Sequence, residues 1–203
     1  MIINYNNNSF NINNNINQTV NFYAQNAVRD EVRGFLVYNN SLWSFVGCYQ
    51  IPSQGNKERI ALVLESPHKD EFDINGNPLR PANGRTGVKI NKKLQDRNFV
   101  RALKHEVIYE VRIVNSIQYQ ASCYSVLGSN YSRKNTNQVF RVLFNKSKGN
   151  LRQDFIDRID NYNPNIVVNC CTSGLKEVVE TALKETKNYN PSTTFTDKHP
   201  IAW

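Results

Sequence analysis

Apolar and polar positions fall into two rhythms along this chain. Ile60-Ala-Leu-Val-Leu64 is a short, unbroken apolar run between charged residues, which predicts a buried strand over Arg59–Glu65. Val107–Gln118 alternates and is rich in β-branched residues, so a second strand is expected to end near Asn115. Pro164 introduces a third buried strand, Asn165–Cys170, and Thr193–Trp203 reads as a short strand running into His199-Pro200. Phe35–Tyr38 and Leu42–Gly47, separated by Asn39-Asn40-Ser41, predict a hairpin.

Helical spacing fills the intervals. Val88–His105 sets Ile90, Leu94, Phe99 and Leu103 among Lys89, Lys92, Lys93, Arg97, Arg101 and Lys104, an amphipathic helix with a cationic face. Asn137–Asn145 and Asn150–Ile159 are expected to be helical, as is Thr172–Lys187 with Leu175, Val179 and Leu183 inward. A further helix is expected from a Thr19 cap through Arg33, ended by Gly34. Residues 1–18 are dominated by Asn, which competes with regular backbone pairing, so a loose arm is expected before a single domain spanning 19–203. Strands alternating with helices predict an α/β fold, a parallel or mixed sheet with helices on both faces.

Charge adds a partner to this picture. The chain carries 25 Lys and Arg against 17 Asp and Glu, a formal net charge of +8, and such an excess favours a polyanion, of which nucleic acid is the commonest. The four cysteines form no CxxC pair or Cys/His ligand spacing, so neither a metal nor another cofactor is expected. The first residues lack the basic and apolar regions of a signal peptide, and no apolar run approaches the length of a membrane span. A cytoplasmic monomer without membrane contact is the expectation.

The candidate chemistry lies between Arg59 and Gly87. In open α/β sheets, ligands bind beyond the carboxyl ends of the strands. Here the first buried strand ends in Glu65-Ser66-Pro67-His68, an acid, a hydroxyl and an imidazole at a turn. Pro81-Ala-Asn-Gly-Arg-Thr-Gly87 forms a second turn leading into the basic helix, and Asn115, Cys171-Thr172 and His199 also fall just past apolar strands. One edge of one sheet can gather them.

These motifs, in this order, resemble the uracil-DNA glycosylase superfamily. Leu64-Glu-Ser-Pro-His68 is similar to its first motif and Pro81–Gly87 to its second, while Ile113-Val-Asn115 resembles its Asn-bearing strand and Lys198-His-Pro-Ile201 its last motif. The resemblance covers about residues 59–203. It implies a three-layer α/β/α sandwich around a central, mostly parallel four-stranded sheet, and a monofunctional glycosylase that flips a base from DNA and leaves an abasic site. By the same resemblance Glu65 stabilises the sugar cation and orients water, with Asp70 in reserve, and His199 donates to the departing base. Ser66, Pro67, His68, Ala82, Asn83 and Asn115 line the base site, and Arg85, Thr86, Lys89 and Lys198 face the DNA backbone.

The departures matter as much. The family's Gly residues around the first motif's acid and proline are Leu64 and His68 here, and the Phe that stacks on uracil is Ala82. Losing a ring removes about 1–3 kcal/mol of stacking and opens space, which suits a bulky, hypermodified pyrimidine such as glucosylated hydroxymethylcytosine in phage DNA. Ordinary uracil excision in base-excision repair, and a catalytically inactive DNA-binding relative, stay open as alternatives. Glu65 is either catalytic or the partner of Arg85 or Lys69, Asn115 either reads a base or caps a loop, and Trp203 either wedges the duplex or plugs the core.

Overall fold

The strand heading the reactive stretch lies inside the sheet. In the computed structural model, which describes residues 2–5, 8–11, 19–21, 27–52, 55–119, 133–146 and 150–202, nine strands follow in chain order. They are β1 (Ile2–Tyr5), β2 (Asn8–Asn11), β3 (Thr19–Asn21), β4 (Glu31–Asn39), β5 (Leu42–Gly47), β6 (Asn56–Leu64), β7 (Val107–Asn115), β8 (Ile166–Asn169) and β9 (Thr194–Thr196). The helices are α1 (Arg85–Lys93), α2 (Arg97–Val100), α3 (Arg133–Lys146), α4 (Leu151–Tyr162) and α5 (Lys176–Leu183). Two 3-10 turns, Lys69–Glu71 and Pro200–Ala202, flank the motifs.

β6 shows why its sequence reads as an unbroken apolar run. Ala61 and Val63 pack with Phe140 and Phe144 of α3, Phe155 of α4 and Val179 of α5. Ile60, Leu62 and Leu64 join Ile90 of α1 and Val100 of α2 in a second cluster. Successive side chains point to opposite faces, and helices cover both, so every position past Arg59 is apolar. Each such side chain contributes roughly 1.5–3 kcal/mol on burial.

The sheet order is β5-β4-β7-β6-β8-β9, six strands and mixed. The four-stranded expectation is therefore corrected: β4 pairs antiparallel with both β7 and β5, adding the hairpin to the sheet. Within the six, β7, β6, β8 and β9 are mutually parallel. Their registers align Leu64 with Asn115, Val63 with Asn169, and Asn169 with Thr196, so all four carboxyl ends fall on one edge.

Three other expectations change. The helix from Thr19 to Arg33 is absent: β3 covers Thr19–Asn21, the Val28 N–H donates to the Gln118 carbonyl, and β4 begins at Glu31. Residues 22–26 of that span lie outside the described residues. Instead of a loose arm, β1, β2 and β3 form a small sheet in the order β2-β1-β3. The long basic helix breaks at Leu94–Asp96, where Asp96 accepts the Asn98 N–H and caps α2 afresh. Most of the polar loop expected after Tyr119, and Trp203, lie outside the described residues. No helix among the described residues is long and apolar enough to cross a membrane.

Candidate functional site

Beyond Leu64 the chain leaves the sheet without losing contact with it. The Leu64 carbonyl accepts from both the Ser116 N–H and its hydroxyl at 2.7 Å, and the Glu65 carbonyl accepts from the Ile117 N–H at 3.0 Å. The backbone carrying Glu65 is thus fixed to the end of β7. The half-buried Glu65 side chain turns the other way, its Oε2 accepting the Thr172 N–H at 2.9 Å just past β8. That contact, rather than an ion pair with Arg85, holds the carboxylate; the side chain of Lys69 lies outside the described residues. Ser66 is buried and its Oγ has no hydrogen-bond partner.

Asn115 is fully buried at the end of β7. Its backbone is anchored, the N–H donating to Asp30 Oδ1 at 3.3 Å and the carbonyl accepting from Arg158 at 3.0 Å. Its side-chain amide is not: neither Oδ1 nor Nδ2 has a partner. Buried polar atoms are paired in the great majority of cases, so each exception calls for a cause.

The structure adds a residue that the sequence did not single out. Glu71, not the neighbouring Asp70, turns inward and is only 3% exposed. Burial pushes its pKa up to about 7, against the pull of the His68 and Ala82 N–H groups and, more weakly, of the Asn115 amide. Asn115 lies near enough to exert that pull yet does not meet hydrogen-bond geometry, and Glu71 Oε2 is left unpartnered. The signal in the sequence was slight, an acid directly before Phe72.

The remaining first- and second-motif residues form an outer lip. His68 Nδ1 lies 3.3 Å from Asp70 Oδ2, both side chains about half exposed, and Asn83 Nδ2 donates to the Asp70 carbonyl at 3.2 Å. Asp70 thus faces the lip and Glu71 the interior. Pro67 and Pro81 are buried. Ala82 is fully buried among Leu64, Ile90 and their neighbours, with φ at +53°. Gly87 is required beneath it: a Cβ there would meet the Ala82 carbonyl oxygen at 1.8 Å.

The basic residues expected at the DNA backbone lie along α1 and past β9. Arg85 and Lys198 are exposed, Thr86 and Lys89 half-buried. The Asp197 N–H donates to the Asn169 carbonyl at 3.1 Å, which puts Asp197 two strand spacings from Glu65, about 10 Å. The half-buried His199 follows two residues on, and the 3-10 turn after it packs against α1. Glu65, Ser66, Asn115, Thr172 and His199 therefore share one end of the parallel strands.

That end can hold a planar polar molecule: a carboxylate, an unpaired amide, an unpaired hydroxyl and a carboxyl that titrates near neutrality. Burial pushes the Cys170 and Cys171 thiols up, so neither is a nucleophile at neutral pH. Among the described residues no three His, Cys, Asp or Glu side chains are grouped to hold a metal ion. A cavity of about 10 Å³ between Ile159, Pro164, Val167, Leu183 and Tyr189 lies at the opposite end of β8 and touches none of the site residues. No protein-family model matches the chain, and neither the curated proteins nor the solved structures compared with it gave a match.

Proposed function

We propose that the chain is a monofunctional DNA glycosylase that hydrolyses the N-glycosidic bond of a flipped-out modified base and leaves an abasic site. The observation that carries this reading is the gathering of Glu65, Ser66, Asn115 and His199 at the carboxyl end of four parallel strands. In this reading β7-β6-β8-β9 is the parallel centre of a glycosylase-like α/β/α sandwich, and the β4–β5 hairpin is an added edge.

Bond cleavage builds positive charge on the sugar and negative charge on the base. Glu65 lies where it stabilises the first and takes a proton from water as the water oxygen bonds to the sugar carbon. His199 donates to the departing base, and fixed donors at such a point are usually the largest contribution. The Asn115 amide, with a donor and an acceptor in one plane, suits the edge of a flipped base. DNA is the partner, drawn by the net charge of +8 and by Arg85, Lys89 and Lys198 around the site. The small Ala82 side chain, where the resemblance places a ring, supports a bulky hypermodified pyrimidine over uracil.

A second reading, a catalytically silent DNA-binding relative, is favoured by one observation: Asn115 and Ala82 have no exposed surface. Incubation with plain, uracil-containing and glucosylated hydroxymethylcytosine duplexes, followed by alkali, separates the readings. Strand breaks in the modified DNA alone are expected. Breaks in the uracil duplex alone assign base-excision repair, and salt-sensitive binding without breaks in any duplex assigns the silent relative.

A further inference from the structure

The segment between Glu71 and the second motif has no part in the chemistry above, yet it is densely hydrogen-bonded for a surface turn. Phe72 and Pro78 pair as an antiparallel bridge, and the Leu79 N–H donates to the Glu71 carbonyl at 2.8 Å. Inside the bridge, Asp73 Oδ1 accepts the N–H groups of Asn75 and Asn77, each at 2.8 Å, and Oδ2 accepts Asn77 Nδ2 at 2.9 Å. Two backbone bonds, Gly76 N–H to the Asp73 carbonyl and Asp73 N–H to the Asn77 carbonyl, close the loop, with Gly76 at φ +78°. All this order presents an isoleucine: Ile74, at the tip, is fully exposed.

A lone exposed apolar residue is ordinary. Its company here is not. Of the seven large hydrophobic residues exposed among the described residues, Ile74, Leu79 and Val88 lie on the one stretch that joins the Glu65 turn to the first turn of α1. The single acid of the tip spends its oxygens on the loop's own N–H groups, so it does not face a polyanion with a free carboxylate. Arg80 and Arg85 follow within eleven residues of Ile74. An apolar point on a preformed, cation-flanked turn matches the side chains that enter base steps and unstack them. Being preformed, it loses little conformational freedom on contact.

The geometry points to Ile74 as a wedge that enters the duplex beside the target base, with the 72–78 hairpin as its mount. This rests on the reading of the chain as a DNA glycosylase. The wedge holds open the stack from which a base swings towards Glu65, so it is needed for duplex DNA and not for a single strand.

Wild type, Ile74→Ala and Ile74→Leu are compared in two assays. One follows 2-aminopurine fluorescence on binding a duplex that carries the probe beside the target. The other follows base release from the same sequence as duplex and as single strand. Ile74→Ala is expected to lose the fluorescence rise and to release base from duplex more slowly by roughly tenfold or more, with single-strand release unchanged and Ile74→Leu restoring both. Equal behaviour of wild type and Ile74→Ala on duplex, or an equal drop on both substrates, overturns the wedge. If the wild-type protein releases no base from any DNA, the glycosylase reading falls, and the fluorescence comparison still decides whether Ile74 opens a duplex.

Discussion

The two ends of the parallel strands treat their buried polar groups in opposite ways. At the amino end such groups are stitched in. Arg59 donates from its backbone to Asn165 Oδ1 at 2.9 Å and from its guanidinium to the Tyr162 carbonyl at 2.8 Å. The Tyr162 hydroxyl reaches the Ile60 and Glu110 carbonyls, and the Arg112 guanidinium, whose Nε has no hydrogen bond, lies 4.1 Å over the Tyr162 ring. At the carboxyl end Ser66 Oγ, Glu71 Oε2 and both Asn115 amide atoms go without partners. Each buried polar group left unpaired costs about 1–3 kcal/mol. One end is built for stability, and the other tolerates a cost that a ligand can remove.

Changes at the carboxyl end should therefore cost activity before stability. The largest effect is expected for Glu65→Gln and His199→Ala, each lowering base release by roughly a hundredfold or more. The amide oxygen introduced by Glu65→Gln can still accept the Thr172 N–H, so circular dichroism should show a folded protein; full activity in both variants would end these assignments.

The next effect is on stability against pH. Glu71 is held above its ordinary value, at about 7, so between roughly pH 4.5 and 7 the unfolded chain releases its proton while the folded chain keeps it. Stability is then fully present below about pH 4.5 and falls by about 3 kcal/mol as pH rises to 7. Glu71→Gln should flatten that part of the profile in urea titrations, and an unchanged slope would mean that Glu71 does not titrate as a buried acid.

Asn115→Leu sharpens the contrast further. Replacing an unpartnered amide by an apolar group of similar size should leave stability unchanged or raise it by about 1–3 kcal/mol, while base release is lost. A clear loss of stability would show that the amide is satisfied in the native protein. At the other end Tyr162→Phe removes a bonded hydroxyl and should cost about 1 kcal/mol with activity retained.

The strands of the parallel core were legible because helices on both faces demand unbroken apolar runs, and β6, β7 and β8 fell within a few residues of expectation. The hairpin was legible too, from its turn. What it joined was not: pairing of β4 with β7 overrode a helical spacing through Arg33, and only the tertiary partner reveals that. The break between α1 and α2 was hidden because Leu94 and Phe99 keep the apolar spacing across it. At the site, the order of motifs located Glu65, Asn115 and His199. It could not tell Asp70 from Glu71, since which of two adjacent acids turns inward is set by a 3-10 turn and by the Leu79 N–H on the Glu71 carbonyl.

The most direct measurement is mass spectrometry of the small molecules released when wild-type and Glu65→Gln proteins meet a panel of plain and modified phage DNAs. A free modified pyrimidine liberated by the wild type and absent with the variant is the predicted result. Identical spectra from the two proteins, with or without a released base, would contradict the claim that chemistry is seated at the carboxyl end of these strands.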